Sequence, residues 1–344
     1  MNRIGIIGGG QLGMFICQAA KNLGIKTSIF SKVKDFSAKK FCDSFFIGDF
    51  KDENILNKFI ESADYFTIET ENIPFEFLNS IHKKKKIFPE PKIVRICQNR
   101  LIEKEFLNSI DGVETANFFP INTFEDFDAS IKKLNYQGIL KTCEFGYDGK
   151  GQYKIFDKNI NQIKKLKLNN FILEEYLDFK LEISVIVCRG KNKIISYPVV
   201  RNIHKSSILR ETIYPANISD RTKEKATNLA LRITEEINLY GILAVEMFVM
   251  KNDDILINEL APRPHNSGHW TLDFCETSQF QNLIHTIIDG TPKSPKPSSN
   301  CKMINVIGND FLNRDDFKEK YKFYDYLKKE IKPLRKMGHY TFRI

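Results

Sequence analysis

Apolar positions in the first hundred residues alternate between short runs and helical spacing. Arg3–Ile7 is a brief apolar run that stops at Gly8-Gly9-Gly10. Gln11–Leu23 then places Leu12, Ile16, Ala19 and Leu23 on one helical face, with Gly24 positioned to end it. Lys26–Phe30, Ser44–Ile47 and Tyr65–Ile68 read as further strands, with a helix over Glu53–Glu61. Strands and helices in alternation predict a parallel sheet. Beyond a helix predicted over Gln98–Ser109 the pattern changes. Strands follow one another through turns at Gly138–Lys141, Gln152–Phe156, Phe171–Tyr176, Glu182–Arg189 and Lys193–Pro198. A long amphipathic helix over Arg221–Ile237 precedes two more strands, Ile242–Met250 and Ile255–Leu260. Thr291–Ser299 has the proline- and serine-rich composition of a linker and sets off a last small unit with a basic tail. No internal repeat is present.

A chain of 344 residues exceeds one ordinary core and predicts two or three domains of roughly 100–150 residues. With 42% apolar and 28% charged residues it reads as globular. A net charge of +9 suits nucleic acid, an anionic membrane surface or a polyphosphate substrate alike. The run Lys83–Lys86 reads as a solvated helix end. Cys17, Cys42, Cys97, Cys143, Cys188, Cys275 and Cys301 form no CxxC pair, which argues for reduced thiols and against a disulfide framework or a zinc site. The N-terminus enters a strand directly, with no signal-peptide pattern. No run of about 18 apolar residues occurs, so no membrane span is expected, and the cytoplasm is the expected location.

Three segments carry chemistry. Gly8–Gly13 fits GxGxxG between a strand and a helix. A dinucleotide site would need an acid at the end of the second strand, yet that strand ends Ile29-Phe30-Ser31-Lys32. The remaining readings are a phosphate- or ribose-facing loop and a purely structural turn. Second, two apolar strands flank the polar turn Lys251–Asp254. A hairpin centred on that turn sets Glu246 opposite Glu259 on one face, with Cβ atoms about 5 Å apart. Two carboxylates about 4 Å apart repel by roughly 4 kcal/mol at an effective dielectric near 20, and a divalent cation with oxygen ligands would offset that. Third, Lys141–Gln152 holds three glycines and two lysines between short strands. This reads either as a flexible cover for phosphates or as an ordinary surface turn. GxxxxGK[ST] is absent, which excludes a P-loop.

The segment Asn258-Glu-Leu-Ala-Pro-Arg-Pro-His-Asn-Ser-Gly-His-Trp-Thr271 is a dense polar run straight after an apolar strand. With Gly8-Gly-Gly-Gln-Leu-Gly13 and Gly146-Tyr-Asp-Gly-Lys-Gly-Gln152 it resembles the 5-(carboxyamino)imidazole ribonucleotide synthase (PurK) family of the ATP-grasp superfamily. The likeness runs through Arg335-Lys-Met-Gly-His339. The resemblance implies a mixed α/β and α+β ATP-grasp fold. A Rossmann-like N-terminal domain would span 1–97. The ATP-grasp domain would span 98–290, with a lid at about 112–178, and a linker and small C-terminal domain would fill 291–344. It further implies that Arg100 and Lys141 contact the ATP phosphates, with Lys104 assisting one helical turn on. Gly146, Tyr147, Asp148, Gly149, Lys150, Gly151 and Gln152 would fold over the phosphates. Glu174, Glu175, Tyr176 and Leu177 would meet adenine, Glu182 the ribose, and His204 and Asn258 would lie beside the nucleotide. Glu246 and Glu259 match the magnesium ligands. Gln11, Glu71, Tyr147, Asp148, Lys150, Arg263, His265 and Asn266 match the ribonucleotide site, with Lys332, Arg335 and Lys336 as its phosphate clamp. Two departures stand out: Phe145 replaces a glycine before Tyr147, and Ser206-Ser207 stands where a glycine is common.

The implied chemistry is phosphoryl transfer from ATP to bicarbonate, followed by carboxylation of the exocyclic amine of 5-aminoimidazole ribonucleotide. Lys141, Arg263, His265 and Asp148 are the catalytic candidates, and either Asp148 or His265 could take the amine proton. The family implies a homodimer and no nucleic-acid or membrane partner. The alternative within the superfamily is a formate-dependent glycinamide ribonucleotide transformylase, whose segment resembles PRPHDTG where this chain has Pro264-His-Asn-Ser-Gly-His-Trp270.

Overall fold

The structure is a computed structural model that describes residues 2–144, 146, 151–156, 160–163, 166–317 and 321–344. The first unit is a five-stranded parallel sheet in the order Ser44–Ile47, Lys26–Ser31, Arg3–Ile7, Tyr65–Ile68, Lys86–Phe88. Helices Gln11–Asn22 and Glu53–Glu61 lie where their spacing predicts them. Gly24 takes φ +70, the left-handed conformation that ends a helix. The lysine run is not wholly a helix end, because Lys86 opens the strand Lys86–Phe88.

The helix expected over Gln98–Ser109 is interrupted. Pro91–Gln98 and Arg100–Asn108 are separate helices, and Asn99 between them is extended. Its side chain accepts from the N–H groups of Leu101 and Ile102. Asparagine favours this capping geometry over continuing a helix. The break aims Arg100 at the next unit, a four-stranded antiparallel sheet ordered Phe118–Ile121, Phe171–Glu175, Gly138–Thr142, Gln152–Ile155. Helix Phe124–Lys133, opened by a Thr123–Asp126 capping box, backs that sheet.

The main body is a nine-stranded antiparallel sheet. Its order is Ile255–Ala261, Gly241–Met250, Phe179–Arg189, Val200–Lys205, Ile208–Tyr214, Cys301–Ile307, Lys336–Arg343, Lys322–Asp325, with Ile194–Ser196 attached to Phe179–Arg189. The last unit is therefore not set off in space. Its strand Cys301–Ile307 pairs directly with Ile208–Tyr214. The linker-like segment is tied down as well: Glu276 N–H donates to Lys296 O and Ser298 N–H to Phe274 O, each at 2.9 Å.

One hairpin decides the site. The turn after Met250 is tighter than expected, with Asp253 at φ +64 and Met250 N–H bonded to Asp254 O at 2.8 Å. Val249 then pairs with Ile255 and Met247 with Ile257, one residue out of the predicted register. A bulge that inserts Asn258 restores it, and Glu246 lies opposite Glu259.

The first unit and the main body meet on Phe15 of the first helix. Its ring touches those of His269, Phe280, Tyr324, Tyr326 and His339, with centroids between 5.1 and 6.0 Å away. His339 Nδ1 shares a 2.9 Å hydrogen bond with the Tyr326 hydroxyl. Burial pushes His339 down to about 3, with Asp273 opposing and Lys322 reinforcing. Burial and the neighbouring His339 push His269 well below its ordinary value.

Ser206 and Ser207 form a two-residue turn with φ of +53 and +61. Left-handed backbone costs a non-glycine residue about 1 kcal/mol, so Ser207→Gly is expected to stabilise the fold by up to about 1 kcal/mol, read as a higher unfolding temperature. The histidine pair sets an acid limit. Below about pH 6.5 the unfolded chain binds protons that the folded chain refuses, so stability falls as pH drops from there towards 3. Each histidine contributes a slope of about 1.4 kcal/mol per pH unit. Urea unfolding of His339→Gln at pH 7, 6 and 5 is expected to show a shallower slope, by about half that amount between pH 7 and 6 and by nearly all of it between pH 6 and 5.

Candidate active site

A cleft of about 1280 Å³ opens where the three units meet. The C-terminal end of strand Tyr65–Ile68 supplies Glu69 and Glu71. The Glu69 carboxylate accepts from the N–H groups of Gly10 at 2.5 Å and Gly13 at 2.7 Å. Those are the groups a GxGxxG loop would offer to a phosphate. The glycine loop thus carries an anion of its own, which overturns its reading as a phosphate-facing loop. Burial raises the Glu69 carboxyl and the two N–H bonds oppose that. Glu71, two residues on, forms a bidentate pair with Arg263 through Nε and through Nη2 at 3.0 Å. Burial opposes its ionisation, and Arg263 more than offsets this.

On the lid side Lys141 Nζ lies 2.8 Å from Glu174 Oε2. Lys104 sits behind, 3.6 Å from the same oxygen and 2% exposed. Lys104 and Gly151 are not among the residues that line the cleft. Lys104 is one turn from Arg100 as expected, but its role in this structure is to neutralise Glu174. The Glu174 carboxylate is buried between the two lysines. Arg100 donates to Thr142 O at 2.7 Å and Gly146 O at 3.0 Å, holding the base of the glycine loop. Tyr147, Asp148, Gly149 and Lys150 of that loop, and Phe145 before them, lie outside the described residues.

The body contributes the carboxylate pair. Glu246 is 8% exposed, and burial followed by the nearby Glu259 raises it to about 7. His265 Nε2 lies 3.4 Å from Glu246 Oε1. Burial and Arg263 keep that imidazole well below its ordinary value, so the contact is between a neutral ring and a carboxyl. Its Nδ1 meets Ser267 Oγ at 2.8 Å, and Gln279 brackets its backbone on both sides. His204 Nδ1 lies 2.6 Å from Glu182 Oε2, off the line of a hydrogen bond. Burial works against its charge, but Glu182 and Glu246 outweigh it and raise His204. Asn266 exchanges amide hydrogen bonds with Asn305 at 2.5 and 3.2 Å, so both ends of its side chain are engaged.

Residues 1–98 match the ribonucleotide synthetase preATP-grasp domain, 107–280 the ATP-grasp domain and 301–343 the phosphoribosylaminoimidazole carboxylase C-terminal domain. Across 98% of its length the chain is 39% identical to the N5-carboxyaminoimidazole ribonucleotide synthase of Bacillus subtilis, covering 90% of that relative. The chain belongs to the N5-carboxyaminoimidazole ribonucleotide synthase family. It is thus an ATP-grasp ligase of the family its motifs resemble. The Staphylococcus aureus N5-carboxyaminoimidazole synthetase complexed with ADP superposes with a TM-score of 0.94 at 35% identity, over 100% of this chain and 93% of that one. The Aspergillus clavatus synthase in complex with ADP and 5-aminoimidazole ribonucleotide gives 0.92 at 29%, over 100% and 94%.

Of the positions matched to the synthase family, Gln11, Glu71, Arg100, Lys141, Gly146, Gln152, Glu174, Glu175, Tyr176, Leu177, Glu182 and His204 line one cleft. Glu246, Asn258, Glu259, Arg263, His265, Asn266, Lys332, Arg335 and Lys336 complete it. Sequence reasoning missed Glu69, Glu103, Phe179 and Phe248, which also line it. Phe179 and Phe248 stack at 4.5 Å. Phe248 was within reach of the strand periodicity, since it shares the face of Glu246 two residues earlier. Glu69→Ala is expected to lower stability by about 2 kcal/mol in urea unfolding, because it strands the N–H groups of Gly10 and Gly13.

Proposed function

We propose that the cleft carries out ATP- and bicarbonate-dependent carboxylation of 5-aminoimidazole ribonucleotide, through carboxyphosphate, with the residues above in the roles the family implies. The observation that carries this reading is the facing of Glu246 and Glu259 within the same cleft as Lys141 and Arg263. Among the described residues no group of three or more acidic, histidine or cysteine side chains converges as a metal cage. That fits magnesium, which is held by one or two carboxylates and completed by phosphate oxygens and water. Glu246 and Glu259 would hold it, with Asn258 beside them. When bound, it neutralises charge on the oxygens of the transferring phosphoryl group.

The chain's own residues do the rest. Lys141, held by Glu174, presents its ammonium to the phosphates. Arg100 holds the loop base that would cover them. The stacked Phe179–Phe248 pair, with Tyr176 and Leu177, offers an apolar bed for a base, and Glu182 with His204 offers polar contacts for a ribose. Arg263, aligned by Glu71, and the neutral His265 stand beside the carboxylate pair, where they can orient bicarbonate or the activated intermediate. Lys332, Arg335 and Lys336, which line the same cleft, would supply positive charge for the ribonucleotide phosphate. Closure over the site would keep water from the short-lived intermediate. The resemblance further supports a homodimer and a cytoplasmic setting. No helix among the described residues is long and apolar enough to cross a membrane.

The test is ADP release with ATP, magnesium, bicarbonate and 5-aminoimidazole ribonucleotide, run beside Glu259→Gln. Ribonucleotide-dependent ADP formation is expected, cut about 100-fold or more by the substitution. Equal rates in the two proteins would refute the metal assignment. A preference for formate and glycinamide ribonucleotide would refute the substrate assignment.

A further inference from the structure

The strand Ile255–Ala261 forms one edge of the nine-stranded sheet, with Gly241–Met250 on its inner side. Its outward N–H groups therefore need partners from elsewhere in the chain. Two are visible. Ile257 N–H donates to Glu114 O at 2.8 Å, beside a parallel bridge between Thr115 and Ile257. Leu260 N–H donates to Glu103 Oε1 at 2.9 Å.

The spacing of those two donors carries the argument. In a regular strand, outward N–H groups recur every second residue. Here they lie three apart, at Ile257 and Leu260, and they bracket Asn258 and Glu259 on either side. That spacing belongs to the bulged register alone. Were Asn258 not bulged, the group facing Glu103 would be the N–H of Glu259, and the Glu259 side chain would turn to the opposite face of the sheet. Glu103 is 2% exposed and projects from the helix Arg100–Asn108, which is fixed at its start by the Asn99 cap.

We propose that Glu103 is a positioning residue: by accepting the Leu260 N–H it locks the bulge at Asn258 and so keeps Glu259 facing Glu246. Its carboxyl lines the cleft, but the role proposed for it is to hold the strand. Its effect reaches the site through the backbone of the edge strand. The inference rests on the reading of Glu246 and Glu259 as a magnesium site, and the experiment separates the two claims.

The full-length chain is prepared as wild type, Glu103→Gln, Glu103→Met and Glu259→Gln. Binding of ADP is measured by calorimetry with and without magnesium, and exchange of the Leu260 amide is followed by hydrogen–deuterium exchange. Glu103→Met keeps length without an acceptor, and is expected to weaken magnesium-dependent ADP binding about 10-fold while leaving magnesium-free binding within about 2-fold. Glu103→Gln retains a side-chain oxygen and is expected to restore magnesium-dependent binding to within about 3-fold of wild type, with the Leu260 amide still protected. A loss of packing alone would weaken both binding modes together. The inference is overturned if Glu103→Met binds magnesium and ADP as wild type does, or if Glu103→Gln is as impaired as Glu103→Met. Should Glu103→Met not fold, wild-type magnesium-dependent binding in a folded Glu103→Gln whose Leu260 amide exchanges rapidly overturns it equally. If Glu259→Gln itself leaves the magnesium effect intact, the metal reading fails and this inference with it. If Glu259→Gln removes the effect and Glu103→Met does not, only the positioning role fails.

Discussion

Glu246 and Glu259 are held on adjacent strands at directly opposed positions, where two ionised carboxylates repel. Everything else in the cleft is arranged around that opposition. The sheet alone does not create it, since the pairing that leaves the turn is one residue out of step. The extra residue at Asn258 brings the two carboxylates into one cleft. A bulge on an edge strand re-aims a side chain, and bulges gather beside active sites for that reason. The resting protein relieves part of the repulsion by burial, which favours the protonated form of Glu246. Neutral His265 adds no charge beside Glu246, while Glu182 faces His204 and Glu71 faces Arg263, so each nearby base has a carboxylate of its own.

The same economy governs the basic groups. Lys141 and Lys104 share Glu174, Arg263 grips Glu71, and Arg100 donates to lid carbonyls. Buried charges need partners to be tolerated at all. Pairing also fixes the geometry of long side chains before a ligand arrives. Two lysines on one carboxylate leave an unbalanced positive charge beside the lid, where a polyphosphate could be held. The elements that deliver these groups are short and capped. A single asparagine, Asn99, breaks one helix into two, and the second half presents Arg100 to the lid, Glu103 to the edge strand and Lys104 to Glu174.

The parallel sheet and the carboxylate pair were legible because both rest on local periodicity. Strand alternation and a polar turn were enough to bring Glu246 opposite Glu259, although the tight turn and the bulge that together produce the pairing were not foreseen. The two errors in register cancelled. What the sequence could not yield is what depends on distant partners. Lys104 and Arg100 share a helix face, but only the fold shows that Glu174 stands between Lys104 and the cleft. The proline-rich Thr291–Ser299 segment has the composition of a free linker, yet its N–H and C=O groups bond to residues 274–276. The last strands extend the main sheet because Cys301–Ile307 finds the exposed edge of Ile208–Tyr214, a pairing between residues some ninety positions apart that no local pattern reveals.

Glu69 and Glu71 show how one strand end separates two functions. They lie two residues apart beyond the C-terminal end of Tyr65–Ile68, the position where parallel sheets gather their ligands. Glu69 turns to the glycine loop and occupies its N–H groups, while Glu71 turns to Arg263. Gly8, Gly10 and Gly13 all make close approaches to the Glu69 side chain: a Cβ on Gly8 or Gly10 would meet it at 2.3 or 2.8 Å, and one on Gly13 at 3.2 Å. Gly8 and Gly10 are therefore required by an internal carboxylate rather than by a pyrophosphate, and Gly13 by the Gly8 carbonyl, which a Cβ would meet at 2.7 Å. A dinucleotide approaching this loop would find the Gly10 and Gly13 donors already taken by the Glu69 carboxylate, so the motif that most suggests a nicotinamide site does not offer one.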